Sequence, residues 1–298
     1  VKKLKDEEGL FWLQDRIEKI KQVNKQYDLE NNAYLSFSGG KDSSVLHYLL
    51  DMALPNNNIP RLFLNTGLEY IDMLQHVKKM ATMDSRIIIH NSNVNIKQML
   101  KKVGYPFKSK EHSRKIGMLQ KGTTSECVKK YIDINRVSSY KCPKILREQL
   151  NPSYPIKLSD QCCEELKKKP ARRWAKENKK SIVLLGLRMS EGGQRANAKS
   201  CLVFNKDKLK AFKPINPMTN EWMDWFIEKY NVELCRLYLP PFNFEGTGCK
   251  GCPFALKLQS ELDKLEKYLP AERKQCEIIW EVPYAEMRRL GYRLKKGG

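Results

Sequence analysis

The hexapeptide Ser38-Gly39-Gly40-Lys41-Asp42-Ser43 constrains this chain more than any other feature. It sits between an apolar run, Ala33-Tyr34-Leu35-Ser36-Phe37, and a helical pattern that puts Val45, Leu46, Leu49 and Leu50 on one face. The run reads as a strand, the two glycines break it, and Asp42 opens a helix. Paired glycines let the backbone turn sharply and approach a ligand closely. Successive backbone N–H groups then form an anion-binding nest, and the helix that follows points its positive end at the same place. Ser38 and Ser43 add hydroxyl donors, Lys41 adds charge, and Asp42 can cap the helix or help to hold Mg²⁺. The pattern is not the Gly-x-x-x-x-Gly-Lys-Ser/Thr loop, and an ordinary glycine turn before a helix is the plainer alternative.

The surrounding pattern sets the fold class. Arg61–Asn65 reads as a second strand closed by Thr66-Gly67, with a helix over 69–83, a third strand over 86–90 and a further strand over 181–186. Strands alternating with helices at this spacing predict an α/β fold with a doubly wound parallel sheet. Residues 8–27 form an amphipathic helix with Leu10, Leu13, Ile17, Ile20 and Val23 on one stripe, and another helix covers 219–230. Residues 95–150 are basic and mostly helical, and 257–292 read as two helices parted near Pro270. With 298 residues and 41% hydrophobic composition, a core is attainable. The expected organisation is an N-terminal helix (1–28), one nucleotide-binding domain (29–256) and a C-terminal helical appendage (257–298).

Residues 38–43 resemble the pyrophosphate loop of the nucleotide α-hydrolases, which include ATP pyrophosphatases, tRNA thiolases, ATP sulfurylase and phosphoadenosine phosphosulfate (PAPS) reductases. Three more segments resemble the PAPS reductases in particular. Leu64-Asn65-Thr66-Gly67-Leu68-Glu69-Tyr70 is similar to their Asn-Thr-Gly-x-Glu segment, at a strand end where α/β ligands bind. Gly186-Leu187-Arg188-Met189-Ser190-Glu191 with Arg195 is similar to their Gly-x-Arg segment, whose arginines hold phosphate or sulfate oxygens. Lys213-Pro214-Ile215-Asn216-Pro217 with Trp222 and Trp225 is similar to a third, and these two tryptophans read as core. The resemblance spans about residues 30–256. It implies nucleotide binding, of ATP or PAPS with Mg²⁺, by Ser36, Ser38, Gly39, Gly40, Asp42, Ser43, Asn65, Thr66, Gly67, Glu69, Gly186, Arg188 and Arg195. Lys41, Asp42 and Arg188 are the catalytic candidates.

Nine cysteines without a secretion-like start argue against a disulfide framework and for metal or redox chemistry. Cys162-Cys163 stand in tandem, and Cys249-Lys250-Gly251-Cys252 is a Cys-x-x-Cys. Four thiolates suit an iron–sulfur cluster or zinc. The tandem pair with a distant Cys-x-x-Cys resembles the [4Fe-4S] ligand set of cluster-containing sulfonucleotide reductases, so the resemblance implies a cluster ahead of zinc or free thiols. The basic stretch from Lys167 to Trp174 resembles the one beside that cluster. Cys127, Cys142, Cys201, Cys235 and Cys276 read as small buried hydrophobes.

Lys and Arg number 55 against 34 Asp and Glu, a formal charge of +21, which favours polyanionic partners. The excess clusters at Lys101–Lys115, at Lys167–Lys180 and in the tail (Arg288, Arg289, Arg293, Lys295, Lys296). No apolar run of about 18 residues predicts a membrane span, and a cytoplasmic location is expected. Sulfonucleotide reductases carry a nucleophilic cysteine in a Glu-Cys-Gly-Leu-His-type motif. Cys276, in Lys274-Gln275-Cys276-Glu277, lacks its glycine and histidine. The expected function is therefore an ATP pyrophosphatase that adenylates an acceptor, tRNA or DNA, for sulfur transfer, with a donor such as a cysteine desulfurase. The alternatives are a PAPS or APS reductase with Cys276 as a displaced nucleophile, and a non-catalytic nucleotide- or nucleic-acid-binding accessory subunit.

Overall fold

A computed structural model describes residues 3–123, 125–135, 137, 140–191 and 200–295. In chain order, α1 (Asp6–Tyr27) and α2 (Leu29–Asn32) lead to β1 (Ala33–Ser36), followed by α3 (Lys41–Ala53), β2 (Arg61–Asn65), α4 (Ile71–Met83) and β3 (Ile87–Asn91). Helices α5 (Ile96–Val103), α6 (Lys110–Leu119), α7 (Glu126–Ile132) and α8 (Lys169–Glu177) precede β4 (Ile182–Leu184), β5 (Leu202–Asn205), β6 (Lys208–Phe212) and α9 (Asn220–Lys229). Helices α10 (Leu258–Tyr268), α11 (Pro270–Ile279) and α12 (Glu281–Leu290) close the described chain.

The chain forms two compact units. One comprises 1–92 and 170–247, the other 93–169 and 248–298. The sequence reading instead runs one domain over 29–256 with a tail behind it. The first unit holds a six-stranded sheet in the order β3-β2-β1-β4-β6-β5. All pairings are parallel except β5 with β6. The fold class is the expected one. Strand order reverses between β1 and β4, and in such sheets ligands bind beyond the carboxyl ends at that switch. The hexapeptide follows β1 there directly.

One face of the sheet packs Tyr34 and Leu62 against Trp174 and Ala175 of α8, with Leu64, Ile88 and Val183 around them. Helix α1 docks on α9 through Gly9, where any Cβ would lie 2.2 Å from the Trp225 ring. Trp222 donates to the Gly9 carbonyl (3.1 Å) and Trp225 to Asp6 Oδ1 (2.9 Å). Both tryptophans are core, as read.

The amino ends of the strands carry a buried ionic network. Fully buried Arg61 donates to Asp51 Oδ1 (2.7 Å), to Asn57 Oδ1 (2.7 Å) and, through Nε, to His47 Nδ1 (3.1 Å). Arg86 spans Asp51 and Asp84 with four bonds of 2.8–2.9 Å. His47, Asp51 and Asp84 lie close enough to chelate a cation, but the two guanidiniums already use these carboxylates, so the cluster is an ion-pair network. Burial pulls His47 down to about 4, helped by Arg61.

In the second unit, His112 is wholly buried between Tyr131 Oη (2.8 Å) and Gln149 Oε1 (2.7 Å), and burial likewise pulls it to about 4. A 3-10 helix runs Lys144–Leu150, and the 257–292 segment contains three helices rather than two, because Trp280 parts α11 from α12. The β5–β6 hairpin is also absent from the sequence reading. It turns through Lys206 at φ 52° without a glycine.

Both histidines are neutral in the fold, whereas the unfolded chain takes up their protons near 6.5. Below that value the unfolded state binds more protons, so stability falls as pH drops from about 6.5 to 4, by roughly 2–3 kcal/mol per histidine. Urea melts at pH 7.0, 5.5 and 4.5 should show this loss, and His47→Gln should flatten the slope. A flat wild-type profile would mean that the imidazoles are charged in the folded protein.

Candidate functional site

The loop after β1 is built by its own side chains. Ser43, 4% exposed, accepts from the Ser38 N–H (3.2 Å) and donates to the Gly40 carbonyl (2.9 Å). Its hydroxyl is thereby spent on shaping the turn. Ser38 Oγ accepts from the Gly40 N–H (3.3 Å) and remains at the exposed lip. The first i→i−4 bond of α3 is Ser44 N–H to Gly40 O (2.9 Å), so the earlier N–H groups are not used by the helix ladder.

The two glycines do different work. Gly39 has φ +70°, and a Cβ there would lie 2.5 Å from Met73 Sδ and 2.7 Å from Val77, so it lets the turn press onto α4. Gly40 has φ −76°, which any residue tolerates. Its absent Cβ would point at Tyr238 Oη (3.0 Å), Ser38 Oγ (3.2 Å) and Thr247 Oγ1 (3.7 Å). Three hydroxyls thus converge over Gly40. Tyr238 Oη pairs with Thr247 Oγ1 (2.5 Å) and accepts the Lys41 N–H, and Lys41 Nζ lies 5.4 Å from the centre of the Tyr238 ring. Arg236, beside Tyr238, is tied to Asp72 of α4 (2.7 Å). Tyr238 and Thr247 were missed by the sequence reading. They lie about 200 residues beyond the loop in a segment without periodic signal, and only the fold brings them over it.

Gly186 and Arg188 follow β4. A Cβ at Gly186 would sit 2.9 Å from the Asp42 carbonyl group and 3.1 Å from Ser43 N, so this glycine admits the first turn of α3. Arg188, 8% exposed, donates from Nε to Asp42 Oδ1 (2.5 Å) and from Nη1 to Ser190 Oγ (2.7 Å) and Asn220 Oδ1 (2.9 Å). Its Nε and Nη1 hold protein groups, so in this structure Arg188 positions Asp42. The Asn65–Glu69 loop is likewise self-held. Glu69 accepts from Thr66 N–H (2.8 Å) and Thr66 Oγ1 (2.9 Å), and Asn65 Oδ1 accepts from Gly67 N–H (3.3 Å). Ser36 ends β1. Arg195 lies outside the described residues.

The four cysteines named above belong to the second unit. Cys162 and Cys163 precede a π-helical turn, Glu164–Lys168, an irregularity common at functional sites. The Cys163 thiol is lowered by its hydrogen bond with Cys162 and by Lys110 and Lys167. Cys162 is correspondingly raised by Cys163, by burial and by the charges of Cys252 and Cys249. Burial pushes Cys252 up to about 12, and the Phe254 N–H opposes it. The Cys-x-x-Cys turn closes with Cys252 N–H to Cys249 O (3.2 Å). Tandem pair and turn therefore converge, with lysines and a backbone N–H to offset thiolate charge. Among the described residues, no three of these sulfurs lie within 4.8 Å of one another. Thiolates on one tetrahedral zinc, at Zn–S about 2.3 Å, would lie about 3.8 Å apart. Four thiolate donors suit either a cluster that spreads them over four irons or a zinc ion.

Of the other cysteines, Cys142, Cys235 and Cys276 are buried as expected and Cys201 is half-buried. Cys127 is exposed, contrary to the reading, because α7 turns that position outward.

A family model described as "Phosphoadenosine phosphosulfate reductase domain" matches residues 32–124 and 121–255. An uncharacterized protein of Methanocaldococcus jannaschii is 32% identical over 126 residues, a stretch equal to 39% of this chain and 30% of that protein. This chain thus spans under a third of that relative. Among solved structures, a phosphoadenylyl-sulfate reductase from Candida auris, in a phosphate complex, is 16% identical with TM-score 0.44, over 83% of this chain and 97% of that one. The U34-tRNA thiolase of Methanococcus maripaludis, with its [4Fe-4S] cluster, is 17% identical with TM-score 0.40, over 93% and 80%. No described helix is long and apolar enough to cross a membrane.

Gly40→Ala tests the cradle, since φ allows alanine but its methyl would meet three hydroxyls. Nucleotide affinity by calorimetry should fall at least about tenfold, roughly 1.4 kcal/mol, with Tm nearly unchanged. Unaltered affinity would remove the loop from the binding site.

Proposed function

We propose, from the premise that this chain belongs to the phosphoadenosine phosphosulfate reductase domain family, that it cleaves ATP between the α- and β-phosphates to adenylate an acceptor oxygen for replacement by sulfur. The observation that carries this over sulfonucleotide reduction is the place of Cys276. The reductase reading needs a thiolate that reaches a substrate sulfur. Cys276 is fully buried on α11, and burial pushes its thiol up to about 12. A Cβ on Gly251 would lie 2.8 Å from its sulfur, so Cys276 packs under the Cys-x-x-Cys turn.

The phosphate loop supplies what adenylation needs. Ser38, the loop amides and Lys41 hold the leaving pyrophosphate, and the positive end of α3 offsets charge that grows as the α–β bond breaks. Mg²⁺ arrives with the nucleotide. The Arg188–Asp42 pair fixes the first turn of α3, which keeps these donors preorganised. Transfer of AMP to the acceptor oxygen releases pyrophosphate, and a sulfur nucleophile then displaces AMP. The donor is a protein such as a cysteine desulfurase, and the acceptor, tRNA or DNA, suits a charge of +21. Cys162, Cys163, Cys249 and Cys252 would hold a [4Fe-4S] cluster, one thiolate to each iron, and such a group would supply one-electron redox chemistry.

The test is release of pyrophosphate and AMP from α-labelled ATP by anoxically prepared protein, with and without tRNA or DNA. Release stimulated by nucleic acid, lost about a hundredfold in Ser38→Ala (roughly 2.7 kcal/mol of transition-state binding) and kept in Cys276→Ser, is the expected outcome. Release from PAPS of sulfite that depends on Cys276 would sink the proposal. Absorbance near 400 nm should be lost in Cys163→Ser. Stoichiometric zinc in its place would refute the cluster while leaving ATP cleavage standing.

A further inference from the structure

Charge in this chain is segregated. The cysteine-bearing unit, residues 93–169 and 248–298, carries 29 Lys and Arg against 14 Asp and Glu, and so +15 of the total +21. The sheet-bearing unit has 26 against 20. An excess concentrated in the smaller unit is the electrostatic footprint expected for a polyanionic partner there.

The same unit contains a cleft of about 360 Å³. Its floor is the segment 157–159, seated against α5 and α6 with no side chain between. A Cβ on Gly117 would lie 2.5 Å from Leu158 O, and one on Gly104 2.8 Å from Ser159 Cβ. Gln120 grips this segment with both ends of its amide, donating to Ile156 O (2.9 Å) and accepting from Leu158 N–H (3.0 Å). One wall is Tyr154 between Pro152 and Pro155. The Tyr154 hydroxyl donates to Glu286 Oε1 (2.7 Å) and accepts from Gln149 Nε2 (3.4 Å), so the ring is held in advance of any ligand. Arg114 and Lys121 line the cleft and form no ion pair among the described residues. Its far end is Ser159-Asp160-Gln161, the three residues that run into Cys162-Cys163.

A fixed aromatic ring flanked by prolines is a stacking wall, unpaired cations bind phosphates, and short polar groups read base edges. That is the chemistry of an unstacked base from a single strand. The volume falls within the roughly 300–1,000 Å³ of small-ligand pockets, which suits one nucleotide and excludes a duplex. We infer that this cleft binds one nucleotide of a single-stranded nucleic acid, with its phosphates on Arg114 and Lys121 and its base against Tyr154. That it presents the acceptor nucleotide beside Cys162 rests on the function proposed above. The binding itself does not.

The test uses the full chain without ATP. Fluorescein-labelled oligonucleotides, one RNA, one DNA of the same sequence and one duplex, are titrated by anisotropy at several salt concentrations. Single strands should bind about tenfold or more tightly than the duplex, and the stronger of the two names the source of the nucleotide. Arg114→Ala with Lys121→Ala should cut the salt slope by about 1–2. Tyr154→Leu should cost about tenfold, and Tyr154→Phe, which keeps the ring, should recover most of it. Equal binding by these variants, or a duplex bound as well as a single strand, would overturn the inference. Competition by polyglutamate as strong as that of the oligonucleotide would give the surface to an acidic protein instead. Should a variant unfold, photocrosslinking of 4-thiouridine RNA and 5-iodouracil DNA to the wild-type protein decides: adducts within 113–121 or 152–161 are expected, and adducts only elsewhere reject the cleft. Oligonucleotide binding without pyrophosphate release keeps the cleft and removes the reaction, and the reverse result keeps the reaction and removes the cleft.

Discussion

The candidate nucleotide site depends on how the first turn of α3 is seated between the ends of β1 and β4. A helix N-terminus attracts phosphate only if its free N–H groups are aimed and stay aimed. Three contacts aim them. Gly186 lets the turn lie against β4 where a methyl would meet the Asp42 carbonyl, Arg188 clamps Asp42 from below and continues to Asn220 of α9, and Gly39 lets the preceding turn press on α4. All are buried or close-packed, so the phosphate cradle is an outcome of core packing as much as of local sequence. The ion-pair network of Arg61, Arg86, Asp51 and Asp84 is at the opposite edge of the same sheet, where no phosphate is expected. Burying charge there is tolerable because each carboxylate meets a guanidinium.

Much of this was legible in the sequence, for identifiable reasons. Strands β1 to β4 are short apolar runs bounded by turn residues, and buried parallel strands look like that. The hairpin β5–β6 was not legible, because β5 exposes Val203 and Phe204, β6 exposes Lys208 and Lys210, and the turn uses Lys206 in place of glycine. The loop motif pointed to a candidate phosphate site but not to the residues that converge on it. Tyr238 and Thr247 reach Gly40 through the tertiary fold, and no window around them carries a local signal. Arg188 was legible as a strand-end arginine. Its task was not, since only the fold shows that Asp42, Ser190 and Asn220 occupy its Nε and Nη1.

The cysteines illustrate the same limit from the other side. Sequence spacing gave two pairs and left cluster, zinc and free thiol open. The structure brings the pairs into one unit and places Lys110 and Lys167 near Cys163. Lysines near several thiolates lower the cost of gathering negative charge, which a bare set of buried thiols would not need.

The helices α10 to α12 then acquire a reason. As sequence they read as an appendage, yet two of them hold the Cys-x-x-Cys turn from behind. Trp280 donates to the Lys250 carbonyl (3.0 Å), Tyr284 to the Gly251 carbonyl, and Lys250 itself reaches Gln275 (2.5 Å). Gly251, at φ +59°, has no room for a Cβ against Tyr284 and Cys276. A turn whose carbonyls are tied back in this way is held rigid, and the Phe254 N–H beyond it reaches the Cys252 sulfur. Cys276 is part of that backing layer. Its sulfur fills the space under Gly251, and the burial that makes it a poor nucleophile is what makes it a good support.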